Sequence, residues 1–345
     1  MKKRLGILLL CLMVVLSLVG CGTNTSQEAV DVDSGEVEVG ESYVLKFGMV
    51  AGTQSNEYKA VQKLVEEVKE KSDGRLTIEI FPESQLGDDR AMLEQLEGGA
   101  LDLTLAETGR FGIWVPRAEI LGASYIVDSF EHLQRVIYET DFGKELHEEL
   151  INKHNWRVIG TGYNGTRQTS SNRAINSIDD MKGLKIRVPN HQPLLEYAEF
   201  VGATPTPMAF TEVYLALQTN AVDAQENPLS TIKAVKFYEV QDYLAITNHT
   251  INDVNYIVSE HTWNKLPNDL QAILKDATVE AAVYHTSLFV NEEKELIEYF
   301  EGEGVTVTKP DLAPFKEAVA KSYQRYIDDI GDEAQKVLDA IESVR

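Results

Sequence analysis

The stretch "YVLKFGMVAGTQSNEYKAVQKLVEEVKEKSDGRLTIEIF" (residues 43–81) sets the pattern of the folded part of the chain. Apolar and polar side chains alternate in 43–50 and again in 75–81, which predicts two strands. Between them, apolar residues from Tyr58 to Val68 recur at helical spacing, and an Asp-Gly pair then ends the helix. The stretch therefore predicts a β-α-β unit.

The same alternation continues along the chain. A short helix is predicted at 88–99 and a strand at 100–107, which extends the first unit to β-α-β-α-β and indicates a parallel sheet covered by helices. The remaining predicted strands are 155–163, 167–172, 184–188, 221–227, 240–248, 254–260 and 305–310, and the remaining predicted helices are 192–203, 211–220, 268–300 and the C-terminal segment.

These elements predict an α/β, two-lobed, periplasmic-binding-protein-like fold. Parallel or mixed sheets flanked by helices would form each lobe, with a long helix in the C-terminal half and a ligand cleft between the lobes. We expect the first lobe to contain residues 43–164 plus about 253–292. The second lobe would contain residues 165–252 plus about 293–345.

The N-terminal 42 residues have a different character. Three cationic residues precede the uncharged apolar run "LGILLLCLMVVLSLVG" (5–20), and Cys21 follows directly. This pattern predicts a signal peptide at 1–20 that ends in a lipobox-like site, with a lipid on Cys21 and an acidic tether at 21–42. An ordinary signal with a chance cysteine, or a membrane-spanning anchor, is the alternative. We expect an extracytoplasmic protein, either lipid-anchored to the outer face of the cell membrane or periplasmic.

Charge and cysteine content exclude several classes of function. The formal net charge is −23 and becomes more negative when the cationic signal is removed, which argues against nucleic acid and anionic lipid as partners. Cys11 and Cys21 are the two cysteines of the chain, so the mature domain is expected to lack disulfides and cysteine metal sites. An anionic ligand would need a local cationic pocket.

Two arginines are candidates for such a pocket. Arg187 lies at the end of the strand of "GLKIRVPN" (183–190), just before Pro189 stops it. Its guanidinium is a permanent cation with a planar set of donors that can bind a carboxylate through two parallel bonds. Arg167 lies at a predicted crossing between the lobes and could complete a clamp. A structural ion pair with one of the many acidic residues is the alternative for Arg187, and two surface arginines on different faces are the alternative to the clamp.

Four further residues are candidates for ligand contact. Asn227 precedes a proline and offers both a donor and an acceptor. Glu107 and Asp89 follow strand ends, where carboxylates suit sugar hydroxyls, although acids at helix N-termini are equally expected. Phe210 could cover an apolar face of a ligand or fill the core.

Catalysis has little support in the sequence. The seven histidines form no metal-binding spacing, and neither a nucleophile elbow nor a phosphate-binding loop is present. Glu107 and Asp89 could act as a glycosidase pair if their separation suited it. We expect a binding protein without cofactor or metal, and a glycan-processing enzyme is the alternative.

Longer motifs resemble one protein family. They are "SQLGDDRAMLEQL" (84–96), "NGTRQTSSNRAINSIDDMKGLKIRVPN" (164–190), "GATPTPMAFTEVYLALQTNAVDAQENP" (202–228) and "KFYEVQDYLAITNH" (236–249). From about Tyr43 to the C-terminal helices the chain resembles TRAP-transporter substrate-binding proteins of the DctP type. "FGMVAGTQSNEYKA" (47–60) and "AETGRF" (106–111) are similar to the sialic-acid-binding members in particular.

The resemblance implies a protein that closes on one acidic sugar and then docks on sodium-driven membrane permease subunits. It also implies roles for named positions. Arg187 would bind the ligand carboxylate, with Arg167 and Asn227 completing that site; Asp89, Glu107 and Arg110 would line the polyhydroxyl end; and Asn190 and Phe210 would lie near the amide-bearing part.

Two positions differ from the sialate-binding pattern. Val50 stands where those proteins carry an asparagine, and His191, beside the expected carboxylate site, stands where they carry a small residue. We expect a monomer whose ligand is N-acetylneuraminate. Another sugar acid (a uronate, an aldonate or a keto-sugar acid) or a C4-dicarboxylate is the alternative ligand, and a sensor subunit is a third functional class.

Overall fold

The computed structural model describes residues 41–345. The predicted signal peptide, the lipidation site Cys21 and all but the last two residues of the predicted tether lie outside the described residues. The strands are β1 (Tyr43–Gly48), β2 (Leu76–Phe81), β3 (Leu103–Ala106), β4 (Trp156–Ser171), β5 (Lys185–Val188), β6 (Thr204–Pro207), β7 (Ala224–Pro228), β8 (Tyr243–Ser259) and β9 (Thr306–Thr308).

Eleven α-helices are present in residues 41–345, together with short 3-10 turns. They are α1 (Asn56–Lys71), α2 (Asp89–Glu97), α3 (Phe130–Glu139), α4 (Asp141–His154), α5 (Gln192–Phe200), α6 (Val213–Gln218), α7 (Leu229–Ala234), α8 (Glu260–Trp263), α9 (Asn268–Gly302), α10 (Ala313–Ile330) and α11 (Asp332–Ser343). None of these helices has the length and apolar composition needed to cross a membrane.

The strands form one mixed sheet in the order β2-β1-β3-β8-β4-β7-β5-β6, with β9 beside β8. Strands β2, β1 and β3 are mutually parallel and make the first half of the sheet, and β7, β5 and β6 make the second half. The long antiparallel strands β4 and β8 run through both halves. The predicted two-lobed α/β fold is confirmed.

Two pairs of predicted strands are continuous in the structure. Segments 155–163 and 167–172 are both part of β4, and segments 240–248 and 254–260 are both part of β8. A register shift between Tyr163 and Thr166 lets β4 bend without ending, because the extra residues of the bulge are absorbed there. Each long strand therefore serves both halves of the sheet.

Local signals explain where the helices that flank the cleft begin. The Ser55 hydroxyl accepts a hydrogen bond of 3.0 Å from the Tyr58 amide and caps α1. The Asp88 carboxylate accepts one of 2.9 Å from the Ala91 amide and caps α2. Both N-termini lie at the cleft between the two halves, because each helix follows a strand of the first half.

The long helix α9 is confirmed and packs against β4 and α1. The last helix, α11, buries Val337 and Ile341 in a cluster with Leu133, Leu146 and Trp156, which belong to the first predicted lobe. The chain thus returns to the first half at its C-terminus. The division of the chain into the two predicted lobes stays a prediction.

Candidate functional site

A cleft with a cavity volume of about 1130 Å³ lies where β1 and β3 of the first half face β5 and β7 of the second half. Eight of the nine residues predicted to bind a ligand line this cleft: Asp89, Glu107, Arg110, Arg167, Arg187, Asn190, Phe210 and Asn227. The ninth, His191, lies in a separate niche. Their roles in ligand binding stay predictions.

Arg187 stands in β5, whose "KIRV" segment is buried from Ile186 onward. Its side chain is 2% exposed, and its Nε and one terminal nitrogen donate to the Met208 carbonyl oxygen at 3.3 and 2.9 Å. The guanidinium lies 5.8 Å from the centre of the Phe210 ring. Among residues 41–345 no carboxylate forms a salt bridge with it.

The charge of Arg187 is therefore held in place but not neutralised. Burial lowers the pKa of its guanidinium to about 10, which still leaves it cationic at neutral pH. A buried cation without a protein carboxylate is costly for the ligand-free molecule. The site is suited to an anion supplied from outside.

Arg167 has a different environment. Its Nε and one terminal nitrogen bind the buried carboxylate of Glu226, and the same terminal nitrogen donates to the Asn227 side-chain oxygen at 3.1 Å. The other terminal nitrogen, Nη1, lies 3.6 Å from a Glu107 oxygen. Glu226 already matches the charge of Arg167, so the two predicted arginines are not equivalent.

Glu226 also accepts from His249, at 3.1 Å, and is fully buried. Burial alone would raise the pKa of the Glu226 carboxyl, but Arg167 and His249 outweigh it and hold the pKa well below its usual range. The carboxylate is thus a fixed counter-charge behind Arg167. Asn227 is held on its other side, since its amide donates to Gln225 at 2.6 Å.

Arg110 joins the two acidic residues at the other end of the cleft. Its Nε donates to Glu107 at 2.9 Å, and a terminal nitrogen lies 3.4 Å from Asp89. Asn252 donates to the second Glu107 oxygen at 2.9 Å. The result is a polar surface of alternating donors and acceptors, which suits a ligand rich in hydroxyl groups.

The pKa values at this end differ between the two acids. Burial would raise the pKa of Glu107, but Arg110 and Arg167 lower it overall. Burial raises the pKa of Asp89, only partly opposed by Arg110. Burial would lower the pKa of Arg110, but Asp89 and Glu107 raise it. Glu107 is therefore an ionised acceptor at neutral pH.

The remaining two predicted cleft residues, Asn190 and Phe210, and the nearby Val50 carry no charge. Asn190 is exposed at the rim, and Phe210 packs edge-on against Phe237 with ring centres 6.2 Å apart. Val50 lines the cleft on the first half and packs against the core there. This end can cover an apolar substituent.

Sequence reasoning missed Glu226, His249 and Asn252. Glu226 lies within the motif at 202–228 and directly precedes Asn227, but the motif does not mark it as a partner of Arg167. Its partnership with Arg167 depends on the antiparallel pairing of β4 with β7, where Thr169 stands opposite Glu226. No local pattern carries that information.

The fold and the cleft together define a solute-binding protein: two α/β halves enclose a polar surface and a buried cation that pairs with no carboxylate of residues 41–345. The chain belongs to the family of bacterial extracellular solute-binding proteins, family 7 (DctP), whose family model matches residues 47–329. The resemblance of the motifs to TRAP substrate-binding proteins of the DctP type is confirmed.

Two named proteins are similar to this chain over most of its length. The sialic acid-binding periplasmic protein SiaP of Vibrio cholerae is 49% identical over 86% of this chain and 92% of its own length. The 2,3-diketo-L-gulonate-binding periplasmic protein YiaO of Escherichia coli is 28% identical over 87% of this chain and 92% of its own.

Solved structures share the fold. A TRAP periplasmic solute-binding protein of Roseobacter denitrificans with bound L-galactonate has a TM-score of 0.80 and is 31% identical, covering 87% of this chain and 99% of its own. The sugar acid-binding protein DctPAm of Advenella mimigardefordensis, in complex with galactonate, has a TM-score of 0.82 and is 27% identical, covering 88% and 99%.

Proposed function

We propose that this protein captures N-acetylneuraminate outside the cytoplasm and delivers it to the membrane permease subunits of a TRAP transporter. It acts as a monomer, held at the membrane by a lipid on Cys21. The likeness to the sialic acid-binding SiaP of Vibrio cholerae supports the choice of ligand, since the identity is 49% over 86% of this chain.

One observation carries the proposal: Arg187 is a buried cation that has no carboxylate partner among residues 41–345 and borders the cleft. The ligand carboxylate supplies the missing anion. Hydrogen bonds to charged groups contribute about 1.5–3 kcal/mol each, so this contact provides a large part of the binding free energy. Arg167, already balanced by Glu226, contributes Nη1, which lies 3.6 Å from Glu107, and orients the carboxylate.

The acidic end binds the hydroxyl-bearing tail of the sugar. Hydroxyl groups donate to Glu107 and Asp89 and accept from Arg110, whose position is fixed by both acids. Phe210 and Asn190 cover the amide-bearing substituent. Carboxylate, polyol and amide are the three parts of N-acetylneuraminate.

Other sugar acids are the second candidate, because solved relatives of this fold hold galactonate and related acids. Val50 favours a ligand that needs no hydrogen bond at that point of the cleft. C4-dicarboxylates fit less well, because their second carboxylate would meet the ionised Glu107 at the other end of the cleft.

Binding without catalysis agrees with the chemistry of the two acids. A glycosidase needs one protonated carboxyl group as general acid. Arg110 and Arg167 keep the pKa of Glu107 low, and Asp89 lies beside the same Arg110 guanidinium. Glu107 therefore serves as a hydrogen-bond acceptor and not as a general acid; burial raises the pKa of Asp89, so incubation with sialosides is the test of that carboxyl group.

A thermal-shift panel of N-acetylneuraminate, uronates, aldonates and C4-dicarboxylates tests the proposal. A ligand that binds only the folded state raises the apparent stability by mass action. We expect N-acetylneuraminate to give the largest rise in Tm and sialosides to remain unhydrolysed during incubation with the protein. A larger shift with another acid would reassign the ligand, and turnover of a sialoside would replace the binding function by an enzymatic one.

A further inference from the structure

His191 is the one predicted site residue that lies outside the cleft, and it forms a contact between the two halves of the sheet. It precedes α5 in the second half, and its ring faces two 3-10 turns of the first half, Thr108–Ile113 and Pro116–Gly122. The ring Cε1 would lie 3.2 Å from a Cβ added at Gly109 and 3.0 Å from one added at Gly122. Two glycines therefore make room for this ring.

The imidazole is enclosed; the Gly109 backbone lies beside it and favours a positive ring, but not at hydrogen-bonding geometry. Both of its nitrogens are buried, and neither has a hydrogen-bond partner among residues 41–345. A cavity of about 10 Å³ adjoins the ring and is lined by polar groups that include Thr250, Asn252 and Asp253. That volume is close to what one water molecule needs.

The charged groups around the ring come from three elements. The 3-10 turn contributes Arg110 and, at its N-cap, Glu107; β4 contributes Arg167; and β8 contributes Asp253. The two arginines oppose a positive ring, and Glu107 favours one but is already paired with Arg110. Burial, reinforced by Arg110, lowers the pKa of His191 to about 4.

The same turn that receives His191 carries Arg110 into the cleft. Arg110 is one residue after Gly109, and Glu107 caps the turn. A shift of the turn would move Arg110 and Glu107 together. The packing of the ring on Gly109 thus bears directly on the geometry of the polyol-binding end.

We propose that His191 is a positioning residue of the cleft: its neutral ring holds the Arg110-bearing turn against the second half, and protonation releases that contact and weakens ligand binding. This proposal rests on the proposed binding function. It predicts tight binding at neutral pH and release in acid.

The sign and size of the pH effect follow from the two states of the ring. Away from the contact, an ordinary imidazole with a pKa of 6.5 is about nine-tenths protonated at pH 5.5. In the contact it stays neutral, so forming the contact expels a proton. Affinity should be constant above pH 7 and lower at pH 5.5 by up to about tenfold, and the full factor is reached when the contact is mostly open before the ligand binds.

Titration calorimetry with N-acetylneuraminate at pH 7.5, 6.5 and 5.5 tests this on the wild type, His191→Gln and His261→Gln. His191→Gln has no ionisable group at this position, so its affinity should fall less between pH 7.5 and 5.5 than that of the wild type. His261 is exposed, and His261→Gln should keep the loss of the wild type. Asp253, whose pKa burial raises to about 6, titrates in the same range in all three proteins, so the difference between the wild-type and His191→Gln profiles measures His191.

Equal pH profiles for the wild type and His191→Gln would overturn the role of His191 and leave the binding function intact. If N-acetylneuraminate does not bind at pH 7.5, the proposed ligand fails, and thermal unfolding of the ligand-free proteins then decides the role of His191.

The His191 ring must stay neutral in the contact, so the contact stabilises the fold at pH values above the pKa of His191 in the unfolded chain. This stability is lost as the pH falls toward the pKa of His191 in the folded protein. The Tm of the wild type should therefore fall more than that of His191→Gln between pH 7.5 and 5, and parallel curves would contradict the contact.

Discussion

Arg187 and Arg167 occupy the same cleft, but the protein balances only one of them. Arg167 has the buried carboxylate of Glu226, whereas Arg187 has a carbonyl oxygen and an aromatic ring. A guanidinium in a low-dielectric environment is stabilised far more by an anion than by a carbonyl dipole. The ligand-free protein thus keeps an electrostatic cost that binding of an acid removes.

The electrostatic cost of the buried Arg187 should be visible in the stability of a variant that lacks it. Replacement of Arg187 by methionine removes a buried cation and fills a similar volume, so the ligand-free protein should be as stable as the wild type or more stable by about 1–2 kcal/mol. Urea unfolding without ligand measures the effect. A loss of several kcal/mol would mean that Arg187 is a structural residue that the folded state requires.

Glu226 should respond in the opposite way. Glu226→Gln leaves Arg167 without its counter-charge in a fully buried site and weakens the acceptor of His249, and breaking such a buried ion pair costs about 3–5 kcal/mol. Urea unfolding of Glu226→Gln should show this loss, whereas Glu239→Gln, at an exposed salt bridge, should unfold within about 1 kcal/mol of the wild type. Equal stability of the two variants would contradict the role of Glu226 as a fixed counter-charge.

At the scale of the elements, the bend of β4 sets the position of Arg167. Gly165 lies in the bulge with φ +90°, a left-handed conformation that favours glycine. An added Cβ would lie 2.6 Å from the Cβ of Pro228 and 3.2 Å from Phe289. The bulge therefore requires glycine both for its backbone angle and for its close packing.

Gly165→Ala should destabilise the protein and weaken ligand binding, because the bulge is followed two residues later by Arg167. Gly74→Ala is the matched control: Gly74 has φ +76° but no atom within 4 Å of an added Cβ. Backbone strain alone costs about 1–2 kcal/mol, and the clash at 165 adds about 1–3 kcal/mol. Urea unfolding and titration calorimetry check both variants, and equal losses would show that packing at the bulge is unimportant.

Sequence patterns predicted the elements whose signals are local. The three strands of the first half alternate cleanly, and α9 has no proline or glycine over 268–300, so both were predicted. Helices α3 and α4 were not among the predictions. The continuity of β4 was missed because Asn164 and Gly165 look like a strand end in sequence, and only pairing with β8 carries the strand across them.

In the candidate site too, residues with local sequence signals were predicted, whereas contacts made by strand pairing were not. Arg187, Glu107 and Asp89 follow or end predicted strands, and the structure brings all three to one cleft. The partnership of Arg167 with Glu226 joins residues 59 positions apart through strand pairing. Which arginine is left without a protein anion is therefore a property of the assembled sheet.

At the scale of the whole molecule, a strongly acidic protein is proposed to bind an anion. The formal net charge of −23 repels an acidic ligand at long range, and salt screens that repulsion beyond about 10 Å at 0.1 M. Attraction must come from a local cation that the protein has not already neutralised. Arg187, enclosed where β5 and β7 of the second half face β1 and β3 of the first, meets that need.

The most direct test of this account compares a charged ligand with a neutral one on two proteins. Titration calorimetry would measure N-acetylneuraminate and its carboxyl methyl ester on the wild type and on Arg187→Ala, with the exposed Arg173→Ala as control. We predict that the wild type and Arg173→Ala prefer the acid by at least about 30-fold, or about 2 kcal/mol, and that Arg187→Ala loses this preference. An unchanged preference for the acid in Arg187→Ala would contradict the claim that Arg187 binds the ligand carboxylate.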